Sequence, residues 1–354
     1  MSWTFVAPSL SRPAGGLIAM FAIANELAAR SDTGVRIVHL PTPEARLDSV
    51  SALPWFEFDR DVEHIFSTDF DPEVMPDADV VVFAPMLLVV ARSPDAAPHG
   101  GQLVSMLHER DGRLGLPVLF LQGLNVFPAD VEDAAIRMPG PKVCVGSWLV
   151  DELLRRGVSS EQVHHIPNGV DHRMFRVMEP IRSRTAQVAM NFDLHRFKGG
   201  ETGMNALAAL HDAVGTPSIA FGTRPPERPA GSGTKFMLSP VQASLARDIY
   251  NASSVYLQPS VHEGFGMCAV EAMACGCALV STDNGGSSDY ALDGETALVC
   301  DNDAQAMCEA MRRLVRDDDL RTRIAASGAA WVRRFRWSVS ADGFERLAFD
   351  HVKS

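Results

Sequence analysis

HEGFGMCAVEAMACG, residues 262–276, sets two carboxylates, Glu263 and Glu271, eight positions apart with a glycine turn between them. The run before it, SVYLQP from Ser254 to Pro259, is β-branched and aromatic and predicts a buried parallel strand ending at a proline. Gly264 and Gly266 let the backbone turn sharply and come close to a ligand. From Met267 to Cys275 the residues are good helix formers, so the turn stands at a helix N-terminus. Free backbone N–H groups and the positive end of the helix dipole attract a phosphate there. A strand, a glycine turn and a helix form the unit of an open α/β sheet. Such sheets bind ligands in the crevice beyond the carboxyl ends of their strands.

The two carboxylates do not read as the acid and base of a hydrolytic dyad on one helix. Eight residues of helix separate Cα atoms by about 12 Å, against roughly 5–9.5 Å between the carboxyl groups of such dyads. Separate work fits them better. Glu263 belongs in the loop beside a sugar, and Glu271 inside the helix facing a ribose, whose vicinal hydroxyls a carboxylate accepts. Singly, each reads as a solvated charge; the whole constellation points to a sugar carried on a nucleoside diphosphate.

The block EGFG…EAMACG resembles the signature of the family-4 retaining glycosyltransferases of GT-B fold: Glu, seven residues, Glu. IPNGVD at Ile166 to Asp171 is similar to the segment that closes that family's first domain, and Phe197-Lys198-Gly199 resembles its phosphate-binding Lys-Gly. NGG at Asn284 to Gly286 and DGETALV at Asp293 to Val299 match the loop after the next strand, and FRW at Phe335 to Trp337 the start of the closing helix. The matches run in the family's order over most of residues 140–350.

The resemblance implies an α/β, GT-B chain of two Rossmann-like doubly wound domains facing a cleft. An acceptor-binding domain would span 1–172, completed by a C-terminal helix crossing back over 338–354, and a donor-binding domain would span 173–337. It implies Glu263, Lys198 and Arg196 as the catalytic set, although the usual Gly-Arg stands several residues earlier, where this chain has Met190 to Asp193. Donor-binding residues would be Gly264, Phe265, Gly266, Met267, Glu271, Gly222 and Gly16. Phe192 and Phe221 would end strands on the nucleotide side, and Met237 to Gln242 would form the loop that borders the base. Asp289 is a minor candidate after the Gly-Gly loop. Many members carry a histidine in the first domain; here Gln122 and Asn125 take its place as acceptor-side candidates, with His99 and His108 in the general region. The run FLQGLNVFP…VGSWLVDELLRRGV resembles the branch that contains bacterial rhamnosyltransferases.

At 354 residues the chain is long enough for two α/β domains with separate cores. No apolar run approaches the roughly 18–20 residues that span a bilayer, and the N-terminus reads as a first strand rather than a signal peptide. Six cysteines without zinc-site spacing read as buried, reduced thiols and point to the cytoplasm. Asp59-Arg60-Asp61 is an Asp-x-Asp match of a kind that recurs by chance, so no metal and no other cofactor is expected. The net charge of −12 lies mostly in the first half, where residues 1–180 carry 14 Lys+Arg against 24 Asp+Glu. That surface repels nucleic acid. Peripheral membrane contact and the oligomeric state stay open.

Alternation of apolar runs with helical patterns predicts strands at Thr4–Pro8, Val35–His39, Val80–Phe83, Val118–Leu121 and Lys142–Val145 in the first half. In the second it predicts Val188–Asn191, Ser218–Phe221, Ser254–Gln258, Ala278–Ser281 and Ala297–Val299. The activity expected from the resemblance is retaining, metal-independent transfer of a sugar from a dTDP-, UDP- or GDP-sugar to a glycan, a lipid-linked saccharide or a small-metabolite hydroxyl. Two rivals stand beside it. One is a disaccharide phosphorylase or synthase of the same fold, and the other a non-catalytic nucleotide-sugar-binding protein.

Overall fold

The structure is a computed structural model and describes residues 1–30, 33–59, 61–69, 72–92, 100–109, 114–227 and 233–352. It divides into two compact units, Met1–Gly169 with Trp337–Ser354, and Val170–Arg336.

The first unit is built on seven parallel strands: β1 (Ser2–Pro8), β2 (Gly34–Leu40), β3 (Val62–Phe66), β4 (Val80–Phe83), β5 (Leu116–Leu121), β6 (Lys142–Cys144) and β7 (Val163–His165). Their order is β3-β2-β1-β4-β5-β6-β7. Helices α1 (Gly15–Ala28), α2 (Met86–Ala91), α3 (Gly100–Glu109), α4 (Ala129–Arg137) and α5 (Ser147–Arg155) connect them. A parallel sheet covered on both faces needs strands that are apolar throughout. β4 (VVVF) and β5 (LPVLFL) are accordingly buried at every residue.

The second unit repeats the plan with β8 (Val188–Asn191), β9 (Ser218–Gly222), β10 (Thr234–Leu238), β11 (Val255–Gln258), β12 (Ala278–Thr282) and β13 (Ala297–Cys300). These strands are also parallel, in the order β10-β9-β8-β11-β12-β13. Its helices are α6 (Gly200–Val214), the single turn α7 (Gln242–Ser244) that continues as π-helix through Leu245–Tyr250, α8 (Met267–Ala274), α9 (Ala304–Arg316) and α10 (Asp318–Val332). In both sheets the winding reverses beside the first strand, between β1 and β4 and between β8 and β11. That reversal opens the crevice in which doubly wound sheets hold ligands.

The last helix, α11 (Trp337–Val352), belongs to the first unit. Phe344 packs edge-on against Phe120 of β5 and Trp3 of β1, with ring centroids 5.3 and 6.3 Å apart. Arg30 pairs with Asp342 and Glu345, and the Ser340 hydroxyl donates to the Pro167 carbonyl at 2.6 Å.

Three strands escape the sequence reading: β3 (VEHIF), β7 (VHH) and β10 (TKFML). Each lies at a sheet edge. An edge strand has one open side and can keep polar residues, and these three do so, whereas the fourth edge strand, β13 (ALVC), is an apolar run and was legible. The segment expected as a loop over Met237 to Gln242 is corrected in the same way, because Met237 and Leu238 end β10. Among the described residues no helix is long and apolar enough to cross a membrane.

Candidate functional site

The loops that leave β8 and β11 meet at the switch point of the second sheet. After β8 the chain runs through a 3-10 turn, Arg196–Lys198, to Gly199, which has φ 64° and precedes α6. A Cβ on Gly199 would stand 1.9 Å from the carbonyl oxygen of Pro259, just past β11. The close approach of these two loops therefore requires glycine at that position.

That approach delivers Lys198 to Glu263. The Lys198 Nζ donates to Glu263 Oε2 at 2.8 Å, and the Ser260 hydroxyl donates to Glu263 Oε1 at 2.8 Å. The Glu263 backbone N–H is held by the Asn284 carbonyl at 2.9 Å. Burial works against the Lys198 charge, but the Glu263 carboxylate, by its charge and its hydrogen bond, outweighs burial and holds the ammonium above its ordinary pKa.

From Glu263 the chain turns through Gly264 and Phe265 to Gly266, the N-cap of α8, at φ 88°. Its Cβ would meet the Tyr290 hydroxyl at 2.3 Å and Gln258 Nε2 at 2.7 Å. The first turn of α8 starts at Met267, and the helix carries Glu271 inward to 6% exposure. Glu271 Oε2 accepts from the Tyr250 hydroxyl at 3.3 Å. Burial pushes the Glu271 carboxyl up to about 8, and the Tyr250 hydrogen bond works in the opposite direction.

The expected site residues thus fall into groups. Glu263, Lys198, Gly264, Gly266, Met267 and Glu271 gather around the β8 and β11 loops. Arg196 shares the Lys198 turn; it is exposed and takes no ion-pair partner among the described residues. Gly222 ends β9, where its carbonyl accepts from the Ser239 backbone.

Two expectations for aromatic residues are corrected. Phe265 turns inward against Phe335 and Tyr290, with centroids 5.3 and 5.7 Å apart, so its ring is core and only its backbone borders the turn. Phe192 and Phe221 are each 3% exposed and pack on Phe236 and Tyr250 respectively. The exposed apolar side chains at the end of β10 and in the loops after β8, β10 and β11 include Leu194, Leu238, Val241 and Val261.

Gly16, Gln122 and Asn125 lie in the first unit. Gly16 stands in the first turn of α1 and packs against the Gln122 side chain, whose Oε1 accepts from Asn168 Nδ2 at 3.3 Å. The loop after β5 is held by Glu132, which is 2% exposed and accepts the backbone N–H groups of Asn125, Val126 and Phe127 at 3.0, 2.9 and 3.0 Å. The Asn125 side chain itself is exposed, with its backbone at φ 61°. His99, Arg60 of the Asp-x-Asp match and the His108 side chain lie outside the described residues.

Sequence reasoning missed Ser260, Tyr250 and Asn168. Ser260 stands three residues before Glu263, within reach of a turn, and that spacing was the available signal. Tyr250 lies on a separate element, and nothing local ties it to Glu271.

Residues 236–331 match the family model described as glycosyl transferases group 1. The chain is 26% identical over 245 residues to the alpha-maltose-1-phosphate synthase of Mycolicibacterium smegmatis, covering 60% of this chain and 63% of that protein. It is 34% identical over 100 residues to a D-inositol 3-phosphate glycosyltransferase of Corynebacterium jeikeium, covering 28% and 24%. The match thus spans less than two thirds of the length of either curated relative. Among solved structures, the sucrose-phosphate synthase of Thermosynechococcus elongatus superposes with a TM-score of 0.74 at 19% identity over 98% of both chains. Anabaena HepE in complex with UDP-glucose gives 0.76 at 16% identity over 99% of this chain and 100% of that one. The fold is GT-B, as the motifs led one to expect, and the second unit carries a group 1 glycosyl transferase segment.

Proposed function

We propose that this GT-B chain, with its group 1 glycosyl transferase segment, is a retaining glycosyltransferase. It moves a sugar from a nucleoside diphosphate to a hydroxyl of a glycan, a lipid-linked saccharide or a small metabolite. The observation that carries the reading is the 2.8 Å pair between Lys198 and Glu263 at the switch point of the second sheet, beside the N-terminal turn of α8. A fixed cation and a helix N-terminus together suit a diphosphate. The names of the relatives, which make or glycosylate sugar and inositol phosphates, and the UDP-glucose bound by HepE agree with it.

Lys198 stabilises the charge that builds on the leaving diphosphate, with the backbone N–H groups of the Gly264–Met267 turn beside it and Arg196 as a second cation. These groups do the work that a metal does in other sugar transferases. Glu263, braced by Ser260, orients Lys198 and contacts the sugar, and Glu271 accepts the ribose hydroxyls. Gly222 and Gly16 complete the donor-binding set, and Gln122 and Asn125 serve the acceptor side. The acceptor hydroxyl attacks the anomeric carbon on the face of the leaving group as the bond from that carbon to the diphosphate oxygen breaks. The departing oxygen takes the acceptor's proton, so no protein nucleophile is required and positioning supplies most of the rate. The cytoplasm is the compartment that suits the free cysteines.

The test is thermal stability of wild type and Glu271→Ala against UDP, GDP, dTDP and ADP, each with and without magnesium. A ligand at about 100 times its dissociation constant adds roughly 2.7 kcal/mol. One nucleotide should stabilise wild type without magnesium and lose that effect in the variant, which also decides between the thymidine, uridine and guanosine donors. Stabilisation by none of them, with phosphate-dependent cleavage of a disaccharide instead, would replace this reading with the phosphorylase.

A further inference from the structure

Tyr250 is fully buried at the end of the π-helical turn Leu245–Tyr250. Its ring is fixed edge-on by Tyr256 and Phe221, with centroids 5.7 and 5.9 Å away, and tilted against Phe175 at 6.1 Å. Its carbonyl is fixed as well, accepting from Arg184 Nη1 and Cys277 Sγ, each at 3.1 Å. With ring and backbone both held, the hydroxyl is fixed between two neighbours: it donates to Glu271 Oε2 at 3.3 Å, and the Cys268 thiol faces it as a second hydrogen-bond partner. The other carboxylate oxygen, Oε1, takes no hydrogen bond among the described residues.

We propose that Tyr250 is a positioning residue for nucleotide binding: its hydroxyl turns the Glu271 carboxylate so that Oε1 is presented to the vicinal hydroxyls of a ribose. The inference rests on the nucleotide-sugar reading above. A carboxylate on a helix of eight residues has rotamer freedom that a single hydrogen bond from a rigid neighbour removes. The same bond favours the ionised carboxylate, which is the better acceptor for two hydroxyls. Burial pushes the carboxyl up and the Tyr250 bond draws it down, and the balance of the two stands at about 8. The titratable groups that face it are Tyr250, Tyr256 of β11, and Cys268 and Cys275 of and beside α8, all pushed up by burial and uncharged near neutrality. None of them is a cation that would draw the proton off Glu271, so the tyrosine hydroxyl carries that role.

The experiment is a binding titration of the full chain with UDP, GDP and dTDP, and with inorganic pyrophosphate as a probe that lacks ribose, from about pH 6 to about pH 9.5. Wild type should bind its nucleoside diphosphate more tightly as pH rises through the Glu271 titration. Tyr250→Phe should bind it about tenfold more weakly near neutrality, with the pH midpoint displaced upward, while pyrophosphate binding stays unchanged. A merely structural role would weaken both probes together and leave the midpoint in place; either that result or an unaltered Tyr250→Phe overturns the proposal.

Should Tyr250→Phe fail to fold, the three tyrosines permit a second measurement on intact protein labelled with carbon-13 at tyrosine Cζ. The Tyr250 resonance should follow the Glu271 midpoint in wild type and stay flat in Glu271→Gln; a flat wild-type curve overturns the proposal. If folded wild type binds none of the three nucleotides, the nucleotide-sugar reading itself is at fault and the role of Tyr250 falls with it. That outcome is distinct from a nucleotide that binds both proteins alike.

Discussion

Glu271 sits where a carboxylate is costly, and its titration makes stability and function oppose each other. Burial lifts its carboxyl from an ordinary 4.5 to about 8. Between those values the folded chain keeps a proton that the unfolded chain has lost, so this group's contribution to stability drains away as pH rises through the window. Glu271→Gln keeps the shape without the charge. It is expected to raise the unfolding midpoint of the free protein at pH values near 8, by roughly 2–4 °C for each kcal/mol relieved, while weakening nucleotide binding. Calorimetry at two pH values checks this, and equal midpoints for both proteins at the higher pH would count against it. Lys198→Met leaves Glu263 with Ser260 as its side-chain partner and should weaken nucleoside diphosphate binding roughly 10- to 100-fold, measured by the same titrations. Glu263 and Glu271 were legible because the motif spaces them along one strand, turn and helix, whereas Lys198 and Arg196, on the turn after β8, came from the family resemblance. The aromatic residues were not legible: Phe192, Phe221 and Phe265 are as suitable for a base as for a core, and only the packing shows that they turn inward.

The glycines make the elements around these charges possible. Gly199→Ala combines a left-handed backbone with a Cβ 1.9 Å from the Pro259 carbonyl. It should cost about 1–3 kcal/mol and, by pushing the β8 and β11 loops apart, separate Lys198 from Glu263. Chemical denaturation reads the first effect, and loss of nucleotide binding beyond the fall in stability reads the second. A Gly199→Ala protein as stable as wild type would mean that the two loops are free to part. The same scale explains what the sequence concealed about the strands. β4, β5 and β12 are buried at every position and announced themselves as apolar runs. β3, β7 and β10 each have a single neighbour, and their mixed patterns are what a half-open strand tolerates, although β13, also at an edge, stays apolar.

At the scale of the molecule, each unit has its own sheet, yet the first is completed from both ends of the described chain. Phe344 of α11 is fully buried against Phe120 and Trp3. Phe344→Ala should cost about 3–5 kcal/mol and lower the unfolding of the first unit while leaving that of the second near its wild-type position. Two probes resolve this: tryptophan fluorescence of a Trp331→Phe background, whose remaining tryptophans all lie in the first unit, and stabilisation by nucleotide for the second. Movement of both transitions together would show that the units unfold as one. The repeat of the doubly wound plan was readable from alternating strand and helix patterns, whereas the return of α11 was an implication of the family resemblance.

That return fixes an order of manufacture. The second unit is one uninterrupted stretch, Val170–Arg336, and can close its sheet as soon as it clears the ribosome. The first, begun earlier, must wait through all of that synthesis with Trp3 and Phe120 lacking the partner they pack against. At about 5–20 residues per second, the wait lasts many times longer than a small domain needs to fold. The half that is started first is therefore the half that a chaperone would have to guard, and the last to be finished.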